Sequence, residues 1–177
     1  MKKVYIVLTY TGTILSKIVK LYTRKEFSHV SISLDENLDE MYSFGRLHPY
    51  NPVWGGFVHE NRNKGTYKRF NKTKTRIYSI QVNDEQYESV KKVIKDIQDK
   101  NKVKSYGFNV LGLFLVAFNY RLKRERCYYC AEFVKECLDK SNIELGLPEI
   151  IKPEDFNKLE SSDIEEVFKG LLRDYQA

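Results

Sequence analysis

Cys130 lies in the run Cys127-Tyr128-Tyr129-Cys130-Ala131-Glu132-Phe133-Val134-Lys135-Glu136-Cys137-Leu138. Phe133, Val134, Cys137 and Leu138 recur at helical spacing and form one apolar stripe, with Cys130 on it about one turn upstream. If the helix starts near Tyr128 or Tyr129, the Cys130 sulfur falls in the first turn. Unpaired N–H groups and the positive end of the helix dipole there favour a thiolate, the nucleophilic form of cysteine. Glu132 works against this, because a nearby negative charge raises a thiol pKa. Cys137, deeper on the stripe, reads as core. Cys127 and Cys130 form a C-x-x-C, yet there is no second cysteine pair, and His29, His48 and His59 lack the spacing of a zinc site. No metal and no cofactor are expected.

A thiol nucleophile needs a base, a group that orients the base, and donors for the oxyanion. Of the three histidines, His29 has the best-defined setting. It sits in Phe27-Ser28-His29-Val30-Ser31-Ile32-Ser33-Leu34, a period-2 alternation that reads as a strand. His29, Ser31 and Ser33 share one face; Val30, Ile32 and Leu34 point to the core. A helix thiol set against a strand imidazole is the layout of papain-type catalysis. Each residue alone has a plainer reading, the cysteine as packing and the histidine as a structural or exposed side chain.

The elements that must hold this pair are readable in outline. Val4 to Tyr10 reads as a strand, and Thr11-Gly12-Thr13 breaks it and caps a helix from Ile14 to Tyr22, whose apolar face is Ile14, Leu15, Ile18, Val19 and Tyr22. Asp35-Glu36-Asn37 signals a turn, and Met41 to Gly45 reads as the return strand of a hairpin that begins with the His29 strand. Leu47 to Phe57, with two prolines and paired glycines, reads as a loop, either on the substrate side or simply packed. Ile77 to Val82 is a further strand. Asn83 and Gln86 form a capping box for a helix with Tyr87, Val90, Ile94 and Ile97 on its buried stripe, ending over Lys100 to Lys104. Val110 to Phe118 reads as a buried helix and Arg121 to Arg126 as a basic connector. Ser162 and Glu165 have the spacing of a capping box for a last helix through Leu172.

Composition places these elements in an ordinary globular chain. Of 177 residues, 42% are hydrophobic and 31% charged, which fits one domain spanning 1–177. Three cysteines argue against a disulfide framework and for a reducing, cytoplasmic setting. The first residues read as a strand rather than a signal peptide, and the longest apolar run, Phe108 to Phe118, is too short to span a bilayer, so no transmembrane segment is expected. The net charge of +6 permits an anionic partner without selecting one. Arg62 to Arg76 holds seven Lys or Arg and no acid, with Tyr67 and Phe70 interleaved. That composition suits single-stranded nucleic acid. It suits a solvated hairpin edge better, where lysine discourages strand pairing, so nucleic acid is not the expected partner.

The two motifs together carry a resemblance. Cys130-Ala131-Glu132-Phe133-Val134 resembles the nucleophile motif of the NlpC-type papain-like superfamily, and Phe27-Ser28-His29-Val30-Ser31-Ile32 resembles its histidine strand. The histidine precedes the cysteine by about a hundred residues. That order resembles the circularly permuted branch, the YaeF/YiiX-like proteins and their lecithin:retinol acyltransferase-like relatives. The likeness covers roughly Val4 to Leu138. It implies an α+β domain, an antiparallel sheet with packed helices, in a permuted papain-like arrangement.

It also implies roles. Cys130 matches the nucleophile and His29 the general base. Tyr106, in Ser105-Tyr106-Gly107-Phe108, matches a tyrosine that polarises the reacting carbonyl, with Tyr128 and Tyr129 as rivals. Ser43, by hairpin register, matches the residue that orients the imidazole, and Glu40 is the stronger acceptor if register allows it. The chain departs from the family pattern at Ser43, where His, Glu, Asn or Gln is usual. A serine hydroxyl accepts an imidazole N–H bond but gives imidazolium little charge stabilisation. An apolar pocket beside the cysteine is a further implication, which Phe108 to Phe118 with Val53 and Trp54 would line. The expected reaction is thiol-dependent cleavage of an amide or ester, on a peptide, amide or acyl substrate that carries an apolar group. The alternatives are a lipid-type acyltransferase or esterase of the same fold, and a binding module that has lost the chemistry.

Overall fold

The computed structural model describes residues 2–47 and 55–177. It is a mixed α+β fold built on a six-stranded antiparallel sheet. β1 (Lys2–Tyr10) lies inside it, between β2 (His29–Ser33) and β5 (Lys74–Val82). β3 (Met41–Arg46) and β4 (Gly55–Glu60) extend the sheet on the β2 side, and β8 (Ile164–Leu171) closes the other edge.

Alternation along the strands covers both faces. Val4, Ile6, Leu8, Val30, Ile32 and Phe44 pack with Phe133, Val134, Cys137 and Leu138 of α5 (Cys130–Asp139) and with Val90, Ile94 and Ile97 of α3 (Asp84–Val103). Tyr5, Val7, Met41 and Ile77 point the other way, under Tyr67, Leu172 and Tyr175. Ser31 and Ser33, expected on a polar face, are therefore fully buried.

Most local elements follow their sequence signals. Thr13 accepts from the Ser16 N–H at the start of α1 (Ile14–Thr23). Of the apolar face expected there, the side chains of Ile14, Leu15, Val19 and Tyr22 lie outside the described residues, and Ile18 is half-exposed. Asn83 and Gln86 make the reciprocal bonds of a capping box on α3.

Four readings differ. The stretch expected to be a loop from Leu47 to Phe57 lies outside the described residues over 48–54, Trp54 and His48 among them, and Gly55 to Phe57 belong to β4. The basic run holds a short helix, α2 (Gly65–Arg69), and the first residues of β5 rather than a hairpin edge. The chain from Ile164 is an edge strand, not a helix: Ile164, Val167 and Phe168 favour extended backbone, Gly170 disfavours helix, and β5 offers an open row of N–H and C=O groups. The apolar stretch forms α4 (Val110–Leu115) and one 3-10 turn, with Leu111 and Phe118 exposed rather than buried. A two-stranded parallel piece, β6 (Gly107–Phe108) against β7 (Cys127–Tyr128), fastens this stretch just before α5. Among the described residues, no helix is long and apolar enough to cross a membrane.

Candidate active site

The start of α5 is pinned from outside the helix. Tyr129 is buried, and its hydroxyl donates to the Ile151 carbonyl at 2.8 Å. Cys130 is then the first helical residue, so its sulfur lies in the first turn. Its own N–H and that of Ala131 belong to the turn that has no intrahelical acceptors. Cys130 is only 1% exposed, yet it lines a cavity of about 70 Å³ together with His29, Glu60 and Tyr67. Phe108 and Leu113 form an apolar part of the wall, and Arg46, bonded to Thr13 Oγ1 at 3.1 Å, a polar part.

His29 opens β2 and is held by a carboxylate. Its Nε2 lies 3.0 Å from Glu60 Oε1 and 3.3 Å from Ser31 Oγ. The second oxygen, Glu60 Oε2, accepts from Ser31 at 2.5 Å and from Tyr67 at 3.2 Å. Glu60 ends β4 and reaches His29 across β3, whose Ser43 and Gly45 carry little bulk; a Cβ at Gly45 would meet the imidazole Cε1 at 3.5 Å. Burial opposes charging of the imidazole, but the Glu60 carboxylate and the Cys130 side chain, which the ring also engages, outweigh it and push the pKa up to about 10. Burial likewise opposes ionisation of Glu60, and the charge and hydrogen bond of His29, with the Ser31 and Tyr67 hydroxyls, hold the carboxyl below its ordinary range.

No protein-family model and no curated protein matches the chain. The chemistry of the site is therefore read from its own geometry.

Cys130 and His29, the two residues singled out first, come together. Ser43 does not join them: fully buried, its Oγ donates to the Val30 carbonyl at 2.7 Å. Glu40 is exposed in the turn between β2 and β3, where its N–H bonds Asp35. The orienting position next to His29 is held by Glu60, one strand further than the hairpin register suggests. Tyr106 is also elsewhere. Its ring packs against Phe44 and Tyr128 and under the Arg126 guanidinium, and it does not line the cavity. Tyr128 leans on Phe44 in the same group. That leaves the first-turn N–H groups of α5 as the candidate oxyanion donors. Glu132 turns away from the sulfur, accepting from the Tyr129 N–H at 3.4 Å and facing the groove on the other side of α5. His59 is exposed and stacked on Tyr42. Cys137 is core, its thiol pushed up by burial. Among the described residues, no three His, Cys, Asp or Glu side chains converge as metal ligands.

Two expected outcomes follow from these contacts. Ser43→Ala removes one buried hydrogen bond, leaving the Val30 carbonyl short of a donor. It costs about 1 kcal/mol in urea unfolding and leaves Cys130 reactivity unchanged. Stability also depends on pH. His29, raised from 6.5 to about 10, contributes fully below about pH 6.5 and loses that contribution as pH rises through about 10. Glu60, lowered from 4.5, contributes fully above that value and loses it as pH falls through its depressed pKa. The pair is thus most stabilising between about pH 4.5 and 6.5. The Tm of the wild type declines from pH 6.5 toward 10, and Glu60→Gln flattens that decline.

Proposed function

We propose that this chain is a thiol-dependent hydrolase of the cysteine peptidase or amidase type, in a circularly permuted papain-like arrangement. The observation that carries the reading is that one imidazole engages a first-turn cysteine on one side and a hydrogen-bonded carboxylate on the other. Glu60 and Ser31 occupy Nε2, so Nδ1 is the nitrogen left to serve the thiol. His29 Nδ1 takes the Cys130 proton, and the sulfur bonds to the carbonyl carbon of an amide or ester. The oxyanion that forms is met by the first-turn N–H groups of α5. As the C–N or C–O bond breaks, imidazolium returns the proton to the leaving amine or alcohol. Water, deprotonated by the same imidazole, then cleaves the thioester. Glu60 stays ionised throughout and stabilises the imidazolium as a positioning residue.

Phe108 and Leu113 in the cavity wall suit an apolar group next to the scissile bond. This also supports the second reading, an esterase or acyltransferase that moves an apolar acyl group to an alcohol or amine rather than to water.

The test is the iodoacetamide alkylation rate of each cysteine against pH, followed by mass spectrometry, in the wild type and in His29→Ala. Cys130 is expected to react fastest and to do so well below pH 8.5, the ordinary thiol pKa being about 8.5; the substitution removes that reactivity. A Cys130 that reacts no faster than Cys137 leaves a binding module as the function.

A further inference from the structure

The basic run from Arg62 to Arg76 has no part in the reaction above, and the charges at its two ends hold the fold. Arg62 donates to the Tyr175 carbonyl at 2.6 Å, and Arg76 bonds Asn157 and pairs with Glu166. What this segment does bring to the cavity is Thr66 and Tyr67, the latter carried on α2 and 6% exposed.

We infer that Tyr67, acting together with Ser31, is a positioning residue that locks the Glu60 carboxylate in the orientation His29 requires. The inference rests on the proposed Cys130–His29 reaction and adds a residue to it. A carboxylate is free to turn about its last bond unless one of its oxygens is fixed. Here two hydroxyls converge on the same oxygen, Oε2, from different elements: Ser31 from β2 and Tyr67 from α2. Oε1 is thereby reserved for His29 Nε2. Tyr67 is held in turn. Its hydroxyl lies 3.4 Å from Oγ1 of Thr9, which is fully buried and pairs with His29 in the β1–β2 register. Since the Tyr67 hydroxyl donates to Glu60, Thr9 is the donor to Tyr67. The network therefore runs from the His29 ring through Glu60, Tyr67 and Thr9 back to the strand pair that carries His29. The other charged or titratable groups on this cavity are Arg46 from β3 and Cys130 from α5. Tyr67 itself stays neutral, since burial and the adjacent carboxylate raise its pKa well above the ordinary value.

The deciding experiment is Tyr67→Phe, which keeps the ring and removes only the hydroxyl. The rate of Cys130 alkylation by iodoacetamide is measured against pH, with thermal unfolding alongside. Without the Tyr67 hydroxyl the carboxylate is freer to turn away from Nε2, and its hold on imidazolium weakens. The acid limb of the profile is expected to move up by about half to one pH unit, a rate about three- to tenfold lower at pH 6. The alkaline plateau, where the thiolate forms without help, stays in place. Adding Ser31→Ala moves the limb further in the same direction. His29→Ala separates the two levels of the argument. If it leaves the acid limb where it is, the Cys130–His29 pairing fails and this inference with it. If His29→Ala moves the limb and Tyr67→Phe overlays the wild type, only the positioning role is overturned. A lowered Tm with an unmoved profile has the same meaning, because it marks Tyr67 as packing alone. Should Tyr67→Phe not fold, Thr9→Val removes the second partner of the hydroxyl. It is expected to give a smaller shift in the same direction, and no shift overturns the role.

Discussion

Glu60→Gln is expected to lower the cleavage of an activated aryl ester by about 10²- to 10⁴-fold while the fold persists. The reason is the proton on the imidazole. Glutamine has the shape of glutamate but presents one acceptor and one donor in place of two acceptors. The Ser31 and Tyr67 hydroxyls both donate to Oε2, so the amide oxygen takes that place and the NH₂ group turns to His29 Nε2. It donates there and drives the imidazole proton to Nδ1, the atom that has to accept the proton of Cys130. The base is then in the wrong tautomer, and imidazolium has lost its counter-charge as well. Cys130 alkylation at pH 6 should fall at least about tenfold in the same variant, through the lost charge. Steady-state hydrolysis with far-UV circular dichroism as the fold control makes the measurement. A variant within threefold of the wild type removes Glu60 from the mechanism and leaves His29 oriented by some other contact.

Glu60 is also the residue that reading the chain missed, and the cause lies in its neighbours. Leu47 to Phe57, with its prolines and glycines, suggests a loop, and the basic run from Arg62 draws attention to charge. Phe57-Val58-His59-Glu60 between them is a short alternation with one partner strand, and short strands are defined by pairing more than by propensity. A local signal did exist: Glu60 is the single acid between Glu40 and Asp84. Hairpin logic assigns the orienting role to the adjacent strand, at Ser43. The structure reaches over that strand instead, because Ser43 and Gly45 are small enough to be crossed. Cys130 and His29, by contrast, were legible because each depends on local periodicity, the helical stripe in one case and strict alternation in the other. The final strand shows the opposite balance. Ser162 and Glu165 have the spacing of a capping box, yet the unpaired edge of β5 outweighs that local preference, and the Ser161 carbonyl accepts from the Ile164 N–H at 3.1 Å as the strand begins. The resemblance puts Tyr106 in the site by its position upstream of the cysteine, while its actual setting is decided by Phe44, Tyr128 and Arg126, which no spacing rule brings together.

Phe133→Ala is expected to cost about 3–5 kcal/mol, a large share of the about 5–15 kcal/mol that holds a domain of this size together. Phe133 is fully buried one turn after Cys130, with its ring 5.3 Å from Phe44 and 5.7 Å, edge-on, from Phe57. Phe44 and Phe57 belong to β3 and β4, so this one side chain seats α5 on the half of the sheet that also carries Glu60. Truncation leaves a cavity between two sheet aromatics that cannot collapse onto a helix start already pinned by Tyr129. The urea midpoint should fall with little change in slope, whereas Val103→Ala, at a side chain 90% exposed, should stay within about 0.5 kcal/mol of the wild type. The site should register the same change. With its seat loosened, α5 no longer holds the Cys130 sulfur against His29, and alkylation of Cys130 in the folded fraction should slow at pH 6 while Cys137 becomes more accessible. Phe133→Leu, which keeps most of the volume, should restore most of the stability and the Cys130 rate together. If stability falls but the Cys130 rate holds, the sulfur is positioned by Tyr129 and the first turn alone, and the aromatic seat serves the fold without serving the chemistry.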